Sequence, residues 1–198
     1  MATICGFDSY KTVLVGTGII SPLIRVLESG SDLGKELSTR CLMKVTANSD
    51  NAWSVSAHGG ASALLKICGS GCDDAAGGEL VGLACGVLKN LIGVEEIKRF
   101  VVDEGAIPMS IKLVKSKNES SQISAIEFIQ VLASANEFMR GMIVNEGGIR
   151  VLVRVIDPKS SYSSKPREKS MKALITLCSD SIGYINSLKN HNFIDHIL

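Results

Sequence analysis

The sequence predicts an all-α protein, a right-handed α-solenoid of about four helical repeats followed by a truncated fifth. Three observations carry that expectation. A ten-residue pattern opened by glycine recurs along the 198 residues, at a period typical of stacked helical repeats, about 40–47 residues. Downstream of each copy, a small residue is followed four and seven places later by aliphatic ones, the spacing of a single helix face. Aromatic residues make up only 5% of the chain against 45% hydrophobic residues overall, which suits helix packed on helix better than an aromatic-rich sheet sandwich.

The copies run from Gly18 to Leu27, from Gly59 to Cys68, from Gly105 to Val114 and from Gly147 to Ile156. A fifth copy opens at Asn192 and reaches only Leu198. The five anchors are 41, 46, 42 and 45 residues apart. Each anchor glycine follows a short apolar segment such as Ile97 to Val102 or Phe138 to Val144, and it supplies the positive φ that ends a helix in a left-handed cap. Asparagine, at 192, is the residue most often tolerated there instead. Pro108 and Pro22 fall in the first turn of the helix that follows, where a missing N–H costs little. Beyond them, Ile107, Ile111 and Val114, or Ile149, Leu152, Val153 and Ile156, keep helical spacing, with Arg25, Lys66, Lys112 and Arg154 on the polar side.

The longer stretches align independently of the anchors. Ser38, Ala84, Ala125 and Ser170 are the small residues; Leu42, Leu88, Ile129 and Leu174 follow four places on, and Val45, Leu91, Leu132 and Leu177 three further. A small residue at the head of such a stripe lets a neighbouring helix approach closely. Each repeat is therefore expected to hold a short helix, a sharp glycine turn, a second helix, a loop and a long third helix. The whole chain, 1–198, reads as one array.

A short helix, a turn reading Glu104-Gly-Ala-Ile-Pro108 and a third helix reading small-x-x-x-Leu-x-x-Leu together resemble the armadillo repeat. Among armadillo proteins, the wording resembles plant armadillo scaffolds and the armadillo segments of plant U-box ubiquitin ligases. The resemblance implies a non-catalytic interaction scaffold that holds an extended partner segment in a groove lined by third helices. An alternative it implies is the substrate-recruiting segment of a U-box ligase, although nothing in these residues resembles a U-box. In armadillo proteins one groove position lies two residues after the aligned leucine, which here gives Lys44, Asn90, Val131 and Thr176. Another lies four residues earlier and gives Arg40, Gly86, Glu127 and Lys172. The sequence departs from importin-α, whose grooves carry tryptophan and asparagine at these positions: only Asn90 matches. Arg40, Lys44 and Lys172 repel a basic peptide, so the expected partner is an acidic or mixed protein or peptide segment.

Other readings of the sequence carry less. Val13-Leu-Val-Gly16-Thr-Gly18 looks like a strand entering a dinucleotide turn, but Ser21 replaces the third glycine and no acidic ribose ligand follows. Lys and Arg number 21 against 20 Asp and Glu, so no overall charge points to nucleic acid. Six cysteines contain no CxxC and sit mostly in apolar runs. They read as reduced, structural thiols of a cytoplasmic or nuclear protein, and neither a metal nor a cofactor is expected. The uncharged stretch from Thr12 to Ile24 is too short to span a bilayer. Trp53 is expected in the core beside Ala52 and Val55, and Ser160–Ser164 as a solvated linker whose phosphorylation would place charge beside Lys159, Lys165 and Arg167. Phe193, Ile194, Ile197 and Leu198 would lack a covering third helix, and self-association through that face is a further expectation.

Overall fold

The computed structural model describes residues 13–70 and 78–179. Besides a helical segment at 13–16, eleven helices and no strand occur among them. In chain order they are α1 (Ile20–Ser29), α2 (Asp32–Val45), α3 (Ser49–Ala57), α4 (Gly60–Ser70), α5 (Gly78–Leu91), α6 (Glu95–Asp103), α7 (Ala106–Val114), α8 (Glu119–Ala133), α9 (Glu137–Asn145), α10 (Gly148–Ile156) and α11 (Ser164–Cys178). The chain forms two compact units, Met1–Met109 and Ser110–Leu198. In the first, α2 packs on α1 and α5, while α4 packs on α5, α1, α3 and α6. In the second, α11 packs on α8 and α10, with α9 against both α8 and α10.

The joints are the anchor glycines. Among the described residues, positive φ in glycine occurs at Gly18, Gly59, Gly105 and Gly147, at 77, 84, 89 and 83°. The hydrogen bonding repeats with the conformation. Each anchor N–H donates to the carbonyl three residues back: Val15 at 3.0 Å, Ser56 at 2.9 Å, Val102 at 3.0 Å and Val144 at 2.9 Å. The anchor carbonyl then accepts the first bond of the next helix, from Ala63 N at 3.1 Å, Met109 N at 3.2 Å and Val151 N at 3.2 Å. One residue thus caps one helix and opens another, a double duty that needs the left-handed backbone. Residues 13–16 are helical and lead into the first of these turns, so the dinucleotide-type strand is absent there. Asn192 and the apolar residues from Phe193 to Leu198 lie outside the described residues, as do Asp73, Asp74, Cys5 and Cys72.

Beside two of the anchors a second glycine is required for space. A Cβ on Gly60 would stand 2.6 Å from Val55 Cγ1 and 2.8 Å from the Val55 carbonyl oxygen, and one on Gly148 would stand 2.5 Å from Ile143 Cγ2 and 2.8 Å from the Ile143 carbonyl oxygen. Around Gly59 and Gly147 themselves no atom lies within 4 Å of that point. The Gly-Gly pair therefore answers two different demands.

The third helices are α2, α5, α8 and α11, and their stripes form the core. Ser38, Ala84, Ala125 and Ser170 are all buried, as are the four aliphatic residues on the next turn and the four beyond them. Ser38 shows what the small residue does: its Oγ donates to the Leu23 carbonyl at 2.6 Å, tying α2 closely to α1. Burying each large aliphatic side chain is worth roughly 1.5–3 kcal/mol, and this repeated burial stabilises the stack far more than any surface pair. Trp53 departs from expectation, being 50% exposed. On α3 the inward positions are Asn51, Ala52 and Val55, and Asn51 Nδ2 donates to the Val45 carbonyl at 3.0 Å; the helical period then turns residue 53 outward.

Asparagine sets several helix starts. Asn118 caps α8, its Oδ1 accepting from Ser121 N at 3.1 Å, and Asn136 caps α9 through Met139 N at 2.9 Å. Asn118→Ala is expected to lower stability by about 1 kcal/mol, the usual worth of such a cap. Urea unfolding followed by circular dichroism checks it. The Ser160–Ser163 stretch before α11 is tied down: Arg167 Nη2 donates to the Ser160 carbonyl at 2.7 Å, and Ser160 Oγ donates to the Asp157 carbonyl at 2.6 Å. The loop itself stays solvated, with Lys159, Ser161, Ser163 and Ser164 exposed, while Arg167 is spent on its backbone.

Candidate functional site

In the first unit, α2 and α5 lie side by side and bring Arg40, Lys44 and Asn90 to one face. Asn90 Nδ2 donates to the Met43 carbonyl at 3.3 Å and to Thr46 Oγ1 at 3.1 Å, so its amide N–H groups brace α5 against the end of α2. Beside it, a Cβ on Gly86 would lie 2.6 Å from Met43 Sδ. The glycine lets the methionine of the preceding helix fold over α5. Arg40 Nε donates to Glu36 Oε1 at 3.0 Å and its Nη2 to Glu79 Oε1. The hydrogen bond to Glu36, with the charge of Glu79 behind it, holds the guanidinium pKa above its ordinary value. Lys44 is exposed in the last turn of α2, where the helix dipole favours a cation.

In the second unit, α8 and α11 carry the other four positions. Glu127 accepts from Lys169 Nζ across the two helices at 2.6 Å, and that hydrogen bond raises the lysine pKa. Val131 is 40% exposed. Lys172 is also exposed, and its Nζ donates to Glu168 Oε1 one turn earlier at 2.5 Å. The same bond holds the Glu168 carboxyl below the usual carboxylate range. Thr176 Oγ1 donates to the Lys172 carbonyl at 3.1 Å.

Every groove position named from the sequence is wholly or partly exposed, and within each unit the two adjacent third helices bring their share together. The charges are a different matter. Glu36, Glu79, Glu168 and Lys169 were missed, and they pair with Arg40, Lys172 and Glu127. Two of these partners sit at i, i+4 spacing and were readable locally. The other two, Glu79 and Lys169, stand five and one residues before the small residue of their helices, and only the packing of one third helix on the next reveals them. Among the described residues no group of three His, Cys, Asp or Glu side chains is placed to hold a metal ion, and no helix is long and apolar enough to cross a membrane.

The arrangement is that of an armadillo-repeat fold, and comparison with solved structures agrees. A designed armadillo repeat protein in complex with the peptide (KR)4 superposes with a TM-score of 0.82 at 19% identity, covering 98% of this chain and 79% of its own. A structure of computationally designed armadillo repeat proteins for modular peptide recognition gives the same TM-score, 0.82, at 19% identity over the same shares, 98% and 79%. An engineered protein aligns with a TM-score of 0.76 at 23% identity, over 89% of this chain and 69% of its own. No known protein-family model matches the sequence, and no curated protein matches it either.

Proposed function

We propose that this chain is a non-catalytic scaffold that binds an extended peptide segment on the exposed faces of its third helices. The observation that carries the reading is the pairing of α2 with α5, which sets Arg40, Lys44 and Asn90 on one face. With its N–H groups committed to α2, Asn90 keeps Oδ1 to accept from a backbone N–H of the segment. The likeness to designed proteins that recognise peptides supports the same use of the fold.

The ion pairs narrow the partner's chemistry. Arg40 is neutralised by Glu36 and Glu79, and Lys172 by Glu168. A uniformly acidic segment would meet these carboxylates, and a uniformly basic one would meet Lys44, Arg40 and Lys172. A segment of mixed charge fits both, so we assign that class to the partner. Selection from a library of extended peptides, with (KR)4 as the basic comparison, tests it. Mixed-charge sequences should be recovered and (KR)4 should bind more weakly than they do. Lys44→Glu with Lys172→Glu is expected to weaken the selected peptide on the order of 10-fold, at roughly 0.5–1 kcal/mol for each exposed charge, without loss of helicity. Equal affinity for the double variant and the parent would move the site off these faces.

A further inference from the structure

Aligned on their small residues, the third helices reveal how each side of such a helix is used. Positions one and five residues after the small residue face the helix that follows. On α2 these are Thr39, which is buried, and Met43, which lies over Gly86 and accepts from Asn90 of α5. On α8 the equivalent Ile126 is fully buried. Positions one and five residues before the small residue face the helix that precedes: Glu79 of α5 reaches Arg40 of α2, and Lys169 of α11 reaches Glu127 of α8.

At two helices the same positions are apolar and open. The following-side residues of α11 are Met171 and Ile175, 56% and 68% exposed. The preceding-side residues of α2 are Leu33 and Leu37, 65% and 46% exposed. These apolar side chains thus stand at positions that elsewhere in the same chain face a neighbouring third helix. Their charged neighbours are complementary as well. Within the chain, the residue two after the small one pairs with an opposite charge on the preceding side of the next helix: Arg40 with Glu79, and Glu127 with Lys169. On α11 that residue is Lys172, which is paired with Glu168 in its own helix, and α2 offers Asp32 beside its two leucines, Glu36 being paired with Arg40.

We infer that copies of this chain associate head to tail, the Met171/Ile175 side of α11 in one copy docking on the Leu33/Leu37 side of α2 in another. The contact repeats between molecules the packing that α2 and α5, and α8 and α11, make within one. Because the two surfaces differ, the interface is heterologous and does not saturate at a pair with matched faces. It leaves the Asn90 side of α5 unused but engages Lys172, so peptide binding is measured at protein concentrations where the contact is not made.

Sedimentation velocity over a concentration series tests this with two variants, Ile175→Asp and Leu37→Asp, each placing a charge on one exposed side chain and each checked for unchanged helicity. The parent should show a rising average mass with concentration, and each variant alone should remain monomeric. Mixed in equal amounts, the variants should form a one-to-one complex and nothing larger, since each retains the surface the other has lost. A parent that stays monomeric throughout the series, a variant that associates like the parent, or a mixture that stays monomeric would overturn the inference.

Discussion

Phe128→Ala is expected to cost about 3–5 kcal/mol, the largest single loss in the second unit. Among the described residues Phe128 is the largest fully buried side chain, and it stands on α8, three residues after Ala125. Removing it leaves a cavity in a close-packed interior, whose walls collapse only in part. The neighbouring Glu127 belongs to the exposed side of the same helix, and Glu127→Gln should lose no more than about 1 kcal/mol. Urea unfolding of both variants checks the contrast. A Phe128→Ala loss below about 1 kcal/mol would mean that α8 does not pack as described.

The second large effect is at the fourth joint. Gly147→Val should lose about 1–2 kcal/mol or more, because φ of 83° places a β-branched side chain in the left-handed region. No neighbouring atom stands in the way there, so the loss is conformational, and Gly147→Asn should be milder because asparagine tolerates that conformation. At Gly148 the order of causes reverses. A Cβ there would press on Ile143, including its backbone oxygen at 2.8 Å, so Gly148→Ala should cost roughly 1–3 kcal/mol through overpacking. Thermal melts of the three variants separate the two causes. If Gly147→Asn melted lower than Gly147→Val, the left-handed joint would be wrong.

These joints were legible in the sequence because their signals are local. A glycine at a fixed distance before a helical stripe specifies both the cap and the next helix, and all four within the described residues adopt the expected backbone. The stripes of the third helices were legible for the same reason, each lying within eight residues of chain. Trp53 was misplaced because the helical period was not carried through α3: with Ala52 and Val55 inward, residue 53 points outward. The electrostatics of the candidate faces were read only in part. Glu36 and Glu168 were within reach of i, i+4 reasoning, whereas Glu79 meets Arg40 from 39 residues away, a partnership set by the packing of α5 on α2. Reading the cations alone made the faces look more basic than their paired geometry allows.

The central claim is that an extended segment lies on the third-helix faces. Amide chemical-shift mapping by NMR, with a mixed-charge peptide selected from the library and titrated at protein concentrations too low for self-association, tests it most directly. Shifts clustered at Lys44 and Asn90 on α2 and α5, or at Val131 and Thr176 on α8 and α11, with little change along α1, α4, α7 and α10, are the expected result. Shifts confined to those second helices or to the Ser160–Ser163 loop would contradict it.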